Sequence, residues 1–350
     1  MEATNNPSTN KIGSGLNVKK IQDAVLNSGF PLQTQIANLL RSKFHVQEEW
    51  TYIDPDSKEL RAIDILANMM LWNKEEFTPS LRIYPNLSLV IECKKSELPH
   101  IFFICPKQKW IPYFPLLAGL RKTDLIDITT DDSASCYKTR IIEALSLDSH
   151  QFFKEPECSN LFTKCVRKGK QIEFSGTESF HGIVLPLLKA MRQLKIAYAP
   201  KPTTAFFHFN IILGIGIIDG PMVGVYISEK SPKLKFLPWV RIVRHEIGEK
   251  PDIFQSNRLF AIDVIHKDFF KEYIDNDLIP FAEEFSKLAI KHQKVLTSGK
   301  GFVTGMKNNS RTNLEERLQP VKIKNKVIQI KIGLKNMLEV LTGRKPPYSE

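Results

Sequence analysis

The chain has 350 residues, of which 42% are hydrophobic and 25% are charged. This length is sufficient to bury a large core, and the composition is that of an ordinary globular protein, which argues against a disordered chain. The formal net charge of +11 at pH 7 indicates a polyanionic partner, either a nucleic acid or an anionic membrane surface.

The cysteines and the N-terminus exclude several classes of protein. The five cysteines are odd in number and include no Cys-x-x-Cys pair, so neither a zinc site nor a disulfide framework is predicted, and reduced thiols in a cytoplasmic setting are the simpler interpretation. Residues 1–16 are polar and lack the apolar core of a signal peptide, so we expect a flexible leader. The most apolar run, 206–218, is too short to span a bilayer, and no membrane partner is predicted.

Two short helices are predicted before the first strand. From Val18 onward apolar residues recur at helical spacing until 27–29, where Asn, Ser and Gly stop the pattern. Pro31 suits the first turn of a second helix, which carries one apolar stripe. Gln33 and Gln35 lie in the neighbourhood of this stripe.

A strand hairpin follows, with a carboxylate in an apolar setting. Residues 44–54 and 60–67 are strand-like, and the intervening Pro and Asp residues predict a turn. Aliphatic residues flank Asp64 on both sides of the second strand. Burying a lone carboxylate costs several kcal/mol unless a cation, a metal or hydrogen bonds compensate. We therefore expect Asp64 to have a partner.

A third strand is predicted over 87–95, a mainly apolar run that ends in Glu92, Cys93, Lys94 and Lys95. Side chains two apart share a face, so Glu92 and Lys94 point one way and Cys93 points the other. If the strands pair, Asp64 and Glu92 converge, and two carboxylates are hard oxygen ligands suited to Mg²⁺ or Mn²⁺. The same residues could instead form a structural ion-pair network, and the pattern leaves both interpretations open.

An Asp on one core strand followed by Glu-x-Lys on the next resembles the PD-(D/E)XK nuclease superfamily. The helix-strand-strand-strand order over about residues 20–105 is similar to that of this family, and a looser similarity extends to about residue 290. The resemblance implies a restriction-endonuclease-like α/β fold, with a mixed sheet flanked by helices, and Mg²⁺- or Mn²⁺-dependent hydrolysis of phosphodiester bonds. It implies catalytic roles for Asp64, Glu92 and Lys94, and metal ligation by Asp64, Glu92 and the backbone carbonyl of Cys93.

The chain departs from the family at one position. Relatives commonly carry a helix Glu that assists the metal site, whereas this chain has Gln33 and Gln35, which we treat as auxiliary candidates. Water or a phosphate oxygen could fill the vacant coordination position, since Mg²⁺ usually keeps several waters.

After the N-terminal leader, the sequence predicts a nuclease-like domain over 17–290, with an insertion at about 100–180. A basic extension is predicted over 291–350. His181 could reach phosphate, although a lone His is more often a surface or capping residue. Residues 180–194 are predicted to form a helix that resembles the family's second core helix, and residues 204–227 a strand hairpin. Two further strands are predicted over 237–245 and 259–265, followed by a mainly helical segment over 268–288.

These features predict a nuclease that acts on DNA in preference to RNA, in a restriction, defence or repair setting. The alternative is a catalytically inactive nucleic-acid-binding or interaction module of the same fold, which the missing helix Glu favours. A homodimer with twofold symmetry would suit a double-strand cutter.

Overall fold

Two β-sheets, of 12 and 4 strands, form the framework of the part of the chain that the structure describes. The structure is a computed structural model that describes residues 5–72, 80–105, 111, 113–122, 125–130, 136–228, 231–247, 257–304 and 313–321. The large sheet is mixed and flanked by helices, so the predicted α/β class is confirmed.

The strands, in chain order, are β1 (His45–Ile53), β2 (Leu60–Met70), β3 (Ile83–Lys95), β4 (His100–Cys105), β5 (Leu116–Ala118), β6 (Leu125–Thr130), β7 (Cys136–Arg140), β8 (Glu157–Lys168), β9 (Gln171–Ser175), β10 (Phe207–Asp219), β11 (Met222–Tyr226), β12 (Lys233–Phe236), β13 (Trp239–Ile247), β14 (Asn257–His266), β15 (Lys300–Val303) and β16 (Leu318–Pro320). The α-helices are α1 (Val18–Asn27), α2 (Phe30–Leu40), α3 (Ile141–Ala144), α4 (Gln151–Lys154), α5 (Gly176–Ser179), α6 (Leu185–Ala197), α7 (Phe270–Glu272), α8 (Ile279–Lys291), α9 (Gln293–Ser298) and α10 (Leu314–Arg317). Phe180–Val184 and Tyr273–Leu278 are π-helical, and Leu147–Ser149 and Lys267–Phe269 are 3₁₀ turns.

The two predicted N-terminal helices are present. The Asn17 side chain caps α1 by accepting a hydrogen bond from the amide of Lys20 at 2.8 Å, as short polar side chains do at helix starts. Pro31 lies in the first turn of α2, and this helix buries the side chains of Ile36 and Leu40 against the sheet. The packing of α2 brings one of its faces over β1, β2 and β3.

The centre of the large sheet is a pair of long parallel strands, β3 and β10. Their register runs from the Ile83–Phe207 pair to the Lys95–Asp219 pair. Strands buried on both faces are almost continuously apolar, and here α6 covers one face and α8 the other. Gly214 permits the close approach of α6, because a Cβ at this position would lie 2.6 Å from the Met191 sulfur.

The predicted hairpin over 204–227 is wrong in its pairing, although both of its strands exist. β10 pairs in parallel with β3, and β11 pairs in parallel with β4. The chain turns after β3 and after β10 at the same place, and β4 and β11 follow these two turns. At this turn Ser96 N–H donates to the carbonyl of Asp219 at 2.9 Å. A Cβ on Gly220 would lie 2.1 Å from the Ser96 oxygen, so the close approach of the two chains requires glycine there.

The large sheet has the strand order β1-β2-β3-β10-β14-β13-β8-β4-β11-β12, with β5 paired to β10 and β9 paired to β8. β4 follows β3 directly in the chain. In the sheet, however, these two strands are separated by β10, β14, β13 and β8, in that order. The segment predicted as an insertion supplies β4, β5, β8 and β9 to this sheet. It also supplies β6 and β7 to the small sheet, which has the order β16-β15-β6-β7.

Two large hydrophobic clusters fill the two sides of the central strands. Leu89, Ile211 and Phe285 belong to the first, and Val90 and Leu187 belong to the second. No helix among the described residues is long and apolar enough to cross a bilayer. The predicted basic extension lies outside the described residues for most of its length, including residues 322–350.

Candidate active site

The site predicted from Asp64 and Glu92 lies where the pairing of β2 with β3 ends. The two strands are antiparallel, and the ladder runs from the Met70–Asn86 pair to the Ile65–Ile91 pair. One step further, Asp64 faces Glu92, and Asp64 Oδ2 accepts a hydrogen bond from Cys93 N–H at 2.7 Å. This backbone amide is a partner of the half-buried Asp64 carboxylate, which supplies the compensation that burial requires.

The alternation of β2 is interrupted at Asp64. Ile63 and Leu66 pack in the same hydrophobic cluster, whereas Ile65 packs on the other side of the sheet. On the neighbouring strand Glu49 occupies the position opposite Asp64, and it adopts a left-handed φ of 51°. A left-handed residue in a strand distorts the local ladder, as bulge residues do, and here the distortion lies beside the two carboxylates.

Glu92 and Lys94 form an ion pair within the site. Lys94 Nζ lies 2.7 Å from Glu92 Oε2, and the side chains are 38% and 7% exposed, respectively. Burial, together with the charge of Asp64, outweighs the effect of Lys94 and raises the pKa of Glu92 to about 7. Burial also disfavours the Lys94 ammonium, but the Glu92 carboxylate outweighs this effect and raises the pKa of Lys94.

The helix around residue 182 covers Lys94. A Cβ on Gly182 would lie 3.8 Å from Lys94 Cε, so this glycine in the π-helical turn borders the lysine side chain. The neighbouring His181 is exposed, and its ring packs beside that of Phe180 at a centroid distance of 5.3 Å. The helix that continues into α6 therefore forms one wall of the site.

Gln33 reaches the site, and Gln35 does not. The buried Gln33 donates from Nε2 to Glu49 Oε1 at 2.8 Å and to the backbone oxygen of Asp64 at 3.0 Å. Gln35, two residues further along α2, is exposed on another side of the helix. Glu49, on β1, is a third carboxylate beside Asp64 and Glu92, and Gln33 links its side chain to the main chain of Asp64.

Sequence reasoning missed Glu49. A signal was available in the hairpin, because extending the pairing of the two strands places Glu49 opposite Asp64. Nothing in the sequence predicted the left-handed φ of Glu49, since non-glycine residues rarely adopt this conformation.

Cys93 has the orientation that strand alternation predicts. Its side chain is buried in the cluster on the far side of the sheet, where burial and the nearby carboxylates raise the pKa of the thiol. Its N–H points toward β2, and in a strand the carbonyl of a residue points to the same edge as its N–H. Lys95 also faces away from the site, because its ammonium donates to the backbone oxygen of Leu26.

The donors at this site fit a hard divalent cation. Asp64, Glu92 and the Cys93 carbonyl are oxygen ligands, the type that Mg²⁺ and Mn²⁺ prefer. The raised pKa of Glu92 marks a position where a bound cation would stabilise the carboxylate. Within the described ranges no group of three or more His, Cys, Asp or Glu side chains is placed to hold a metal.

No family model, curated protein or solved structure matches this chain.

Proposed function

We propose that this chain is a metal-dependent nuclease that hydrolyses phosphodiester bonds, with DNA as the favoured substrate. The observation that carries the proposal is the meeting of Asp64, Glu92 and Lys94 at the end of the β2–β3 ladder, with 2.7 Å between the Lys94 ammonium and Glu92. Two carboxylates and a lysine on adjacent strands resemble the catalytic set of the PD-(D/E)XK superfamily. The net charge of +11 suits a polyanionic substrate.

We further propose that the fold is restriction-endonuclease-like. The order α2, β1, β2, β3 supports this assignment, because it matches the helix and three strands that carry the family motif. The position of α6, which packs on β3 and β10 across the sheet from α8, supports it as well.

Each residue has a role that follows from its position. Asp64, Glu92 and the Cys93 carbonyl would hold the divalent ion, which when bound neutralises charge on the scissile phosphate, favours hydroxide formation and stabilises the leaving oxyanion. Lys94 donates hydrogen bonds to the attacking water and to a phosphate oxygen, which favours deprotonation of the water and offsets phosphate charge. Gln33 keeps Asp64 in place through its main chain.

The second candidate function is a catalytically inactive nucleic-acid-binding module of the same fold. Two observations favour it: α2 supplies the amide of Gln33 in place of a carboxylate, and Lys94 already forms an ion pair with Glu92. Binding would then rest on the basic surface, and affinity would fall as the salt concentration rises.

A cleavage assay with a matched lysine control separates the two functions. The purified protein is incubated with supercoiled plasmid, linear DNA, single-stranded DNA and structured RNA, in the presence of Mg²⁺, Mn²⁺ or EDTA. We expect cutting of DNA that requires the metal and falls by at least about 100-fold in Lys94→Ala, because a positioned electrostatic donor is worth roughly this much. Lys95→Ala removes the same charge one residue away, and it should retain cleavage because Lys95 faces away from the site.

Absence of cutting by the wild-type protein, with salt-sensitive DNA binding retained, would overturn the nuclease proposal in favour of the inactive module. Equal loss of cleavage in Lys94→Ala and Lys95→Ala would contradict the role given to Lys94, since a general loss of charge would explain it. Circular dichroism of each variant establishes that it is folded.

A further inference from the structure

A second charged site lies at the opposite end of β3 from Glu92 and Lys94. It is a cavity of about 550 Å³ between the start of β3, the start of β10 and the end of α9. Arg82, which immediately precedes β3, lines it. The ten residues from Arg82 to Glu92 span about 30 Å along a strand, so the two sites are separate.

Three cations converge on this cavity. Arg82, Arg121 and Lys294 line it together with hydroxyl-bearing and apolar residues, and its lining includes no Asp or Glu. None of these cations forms an ion pair with a carboxylate anywhere in the part of the chain that the structure describes. Like charges that share a cleft repel one another and concentrate anions from solution.

The main chain around Arg82 is held from both sides. Its amide donates to Gln293 Oε1 at 2.7 Å, and its carbonyl accepts from the amide of Phe207 at 2.8 Å. These bonds join the end of the loop before β3 to α9 and β10. The position from which the exposed Arg82 side chain extends is therefore well defined.

The guanidinium of Arg121 is oriented by the chain before β10. Its Nη2 donates to the backbone oxygens of Pro202 and Thr204 at 2.9 and 3.0 Å, and it lies over the Phe207 ring at 5.7 Å from the centroid. Two bonds use both hydrogens of Nη2, and among the residues that the structure describes none accepts a hydrogen bond from Nε or Nη1. Because Nη2 belongs to both two-point forks of a guanidinium, Arg121 offers a phosphate single hydrogen bonds from Nε or Nη1 together with its positive charge.

The hydroxyls of α9 in this cavity are already used. Thr297 donates to the backbone oxygen of Gln293 at 2.7 Å, and Ser298 donates to that of Val295 at 3.0 Å. The charged donors that an anion would meet in this cavity are therefore the three cationic side chains, beside the hydroxyls of Ser80 and Thr204. A phosphate monoester carries a charge of about −1.5 to −2 at pH 7 and three acceptor oxygens, which suits three cations better than a singly charged carboxylate does.

We propose that this cavity binds the phosphate monoester group of a phosphorylated ligand. The volume exceeds that of a phosphate alone and lies within the usual range for small-molecule sites, so it accommodates part of the group that carries the phosphate. The group is either a free phosphorylated small molecule or the phosphorylated end of a nucleic-acid strand. The site needs neither Asp64 nor Glu92, and it stands whether or not the chain is a nuclease.

Titration calorimetry of the full chain in EDTA, at constant ionic strength, tests the proposal. The probes are inorganic phosphate, a nucleoside 5′-monophosphate and its unphosphorylated nucleoside, and one short oligonucleotide with a 5′-phosphate or a 5′-hydroxyl. We expect phosphorylated probes to bind at least 10-fold more tightly than their unphosphorylated counterparts. Arg82→Ala and Lys294→Ala, which alter exposed side chains, should each weaken this binding at least 10-fold.

Lys287→Ala is the matched control, since Lys287 is an exposed lysine of α8 that does not line the cavity. Preference for the monophosphate assigns a free ligand, and preference for the phosphorylated oligonucleotide assigns a strand end; either supports the proposal. Equal affinity for phosphorylated and unphosphorylated probes would overturn the proposal. So would a loss of affinity in Lys287→Ala as large as that in Arg82→Ala. The titration is run in EDTA, without the divalent ion that cleavage requires, which separates this test from the cleavage assay.

Discussion

Glu92 is a buried carboxylate whose charge its surroundings disfavour. Its side chain is 7% exposed, and burial together with Asp64 raises its pKa to about 7 from a usual value of 4.5. A carboxyl group whose pKa is raised on folding makes the native state bind more protons than the unfolded state. Ionised Glu92 therefore costs stability in the absence of metal, and this cost develops as the pH rises from about 4.5 to about 7.

Replacing Glu92 with Gln should remove that cost. In EDTA at pH 8 we expect Glu92→Gln to raise the free energy of unfolding by about 1–2 kcal/mol, less than the full shift in pKa implies because Lys94 loses its partner. At pH 4.5 and below the difference should disappear, since wild-type Glu92 is then largely protonated. Urea denaturation at the two pH values measures it, with the exposed Glu97→Gln as the control.

An unfolded Glu92→Gln variant would contradict this expectation. It would instead support the interpretation that Asp64, Glu92 and Lys94 form a structural ion-pair network, because removing one member of such a network strands its partners.

Gln33 marks the departure from the nuclease family, and its contacts suggest a gain-of-function test. In Gln33→Glu a carboxylate would face Glu49 in place of the amide that now donates to it at 2.8 Å. We expect this repulsion to lower stability in EDTA by about 1–2 kcal/mol, and an added carboxylate to tighten Mn²⁺ binding about 10-fold. Calorimetric titration with Mn²⁺ measures the second effect, and Gln35→Glu on the exposed side of α2 is the control. Unchanged Mn²⁺ affinity would place the metal elsewhere.

At the scale of elements, the turn between β1 and β2 is fastened to α6. The fully buried Asp54 accepts hydrogen bonds from Arg61 Nε at 2.6 Å, from the amide of Asp56 at 3.0 Å and from Lys189 of α6. Burial alone would raise the pKa of Asp54, but these donors outweigh it and hold that pKa well below the usual value of 3.8. The hairpin that carries Asp64 is thereby tied to the helix whose N-terminal extension covers Lys94.

Asp54→Asn should destabilise the protein by about 3 kcal/mol at pH 7, because it leaves Lys189 and Arg61 without their carboxylate. A carboxyl group with a lowered native pKa stabilises the fold above its unfolded pKa, and this contribution fades as the pH falls below about 4. The difference between wild type and variant in chemical denaturation should therefore shrink under acid. Asp56→Asn, in the same turn but 61% exposed, should change stability little. An equal effect of the two substitutions would argue against the buried network.

At the scale of the whole molecule, a buried ion pair between β13 and β14 connects segments that are distant in the sequence. Arg241 on β13 is bidentate with Asp263 on β14 at 2.7 and 3.0 Å, and it donates to the backbone oxygen of Phe152. Tyr273 donates to the same carboxylate at 2.9 Å, and burial together with Asp263 raises the pKa of the Tyr273 hydroxyl. Because the pair is fully buried, loss of one member would leave an uncompensated charge.

Asp263→Asn should therefore cost about 3–5 kcal/mol of unfolding free energy. The double variant Arg241→Met with Asp263→Leu should lose less than this single change, because it removes both charges together. Thermal and urea denaturation of the three proteins measure the difference. A double variant that is less stable than Asp263→Asn would mean that the pair itself, and not the avoidance of a stranded charge, stabilises this region.

The sequence by itself determined the features that depend on neighbours in the chain. Alternation and apolar content predicted the central strands, and the short turn predicted the hairpin of β1 and β2. The convergence of Asp64 and Glu92 followed only on the condition that their strands pair, which the structure shows. Only the tertiary structure decided the rest. The parallel partner of β3 lies more than 100 residues away, and Arg82, Arg121 and Lys294 converge from three distant segments. Local patterns record which face of a strand or helix is buried, but not which remote segment buries it.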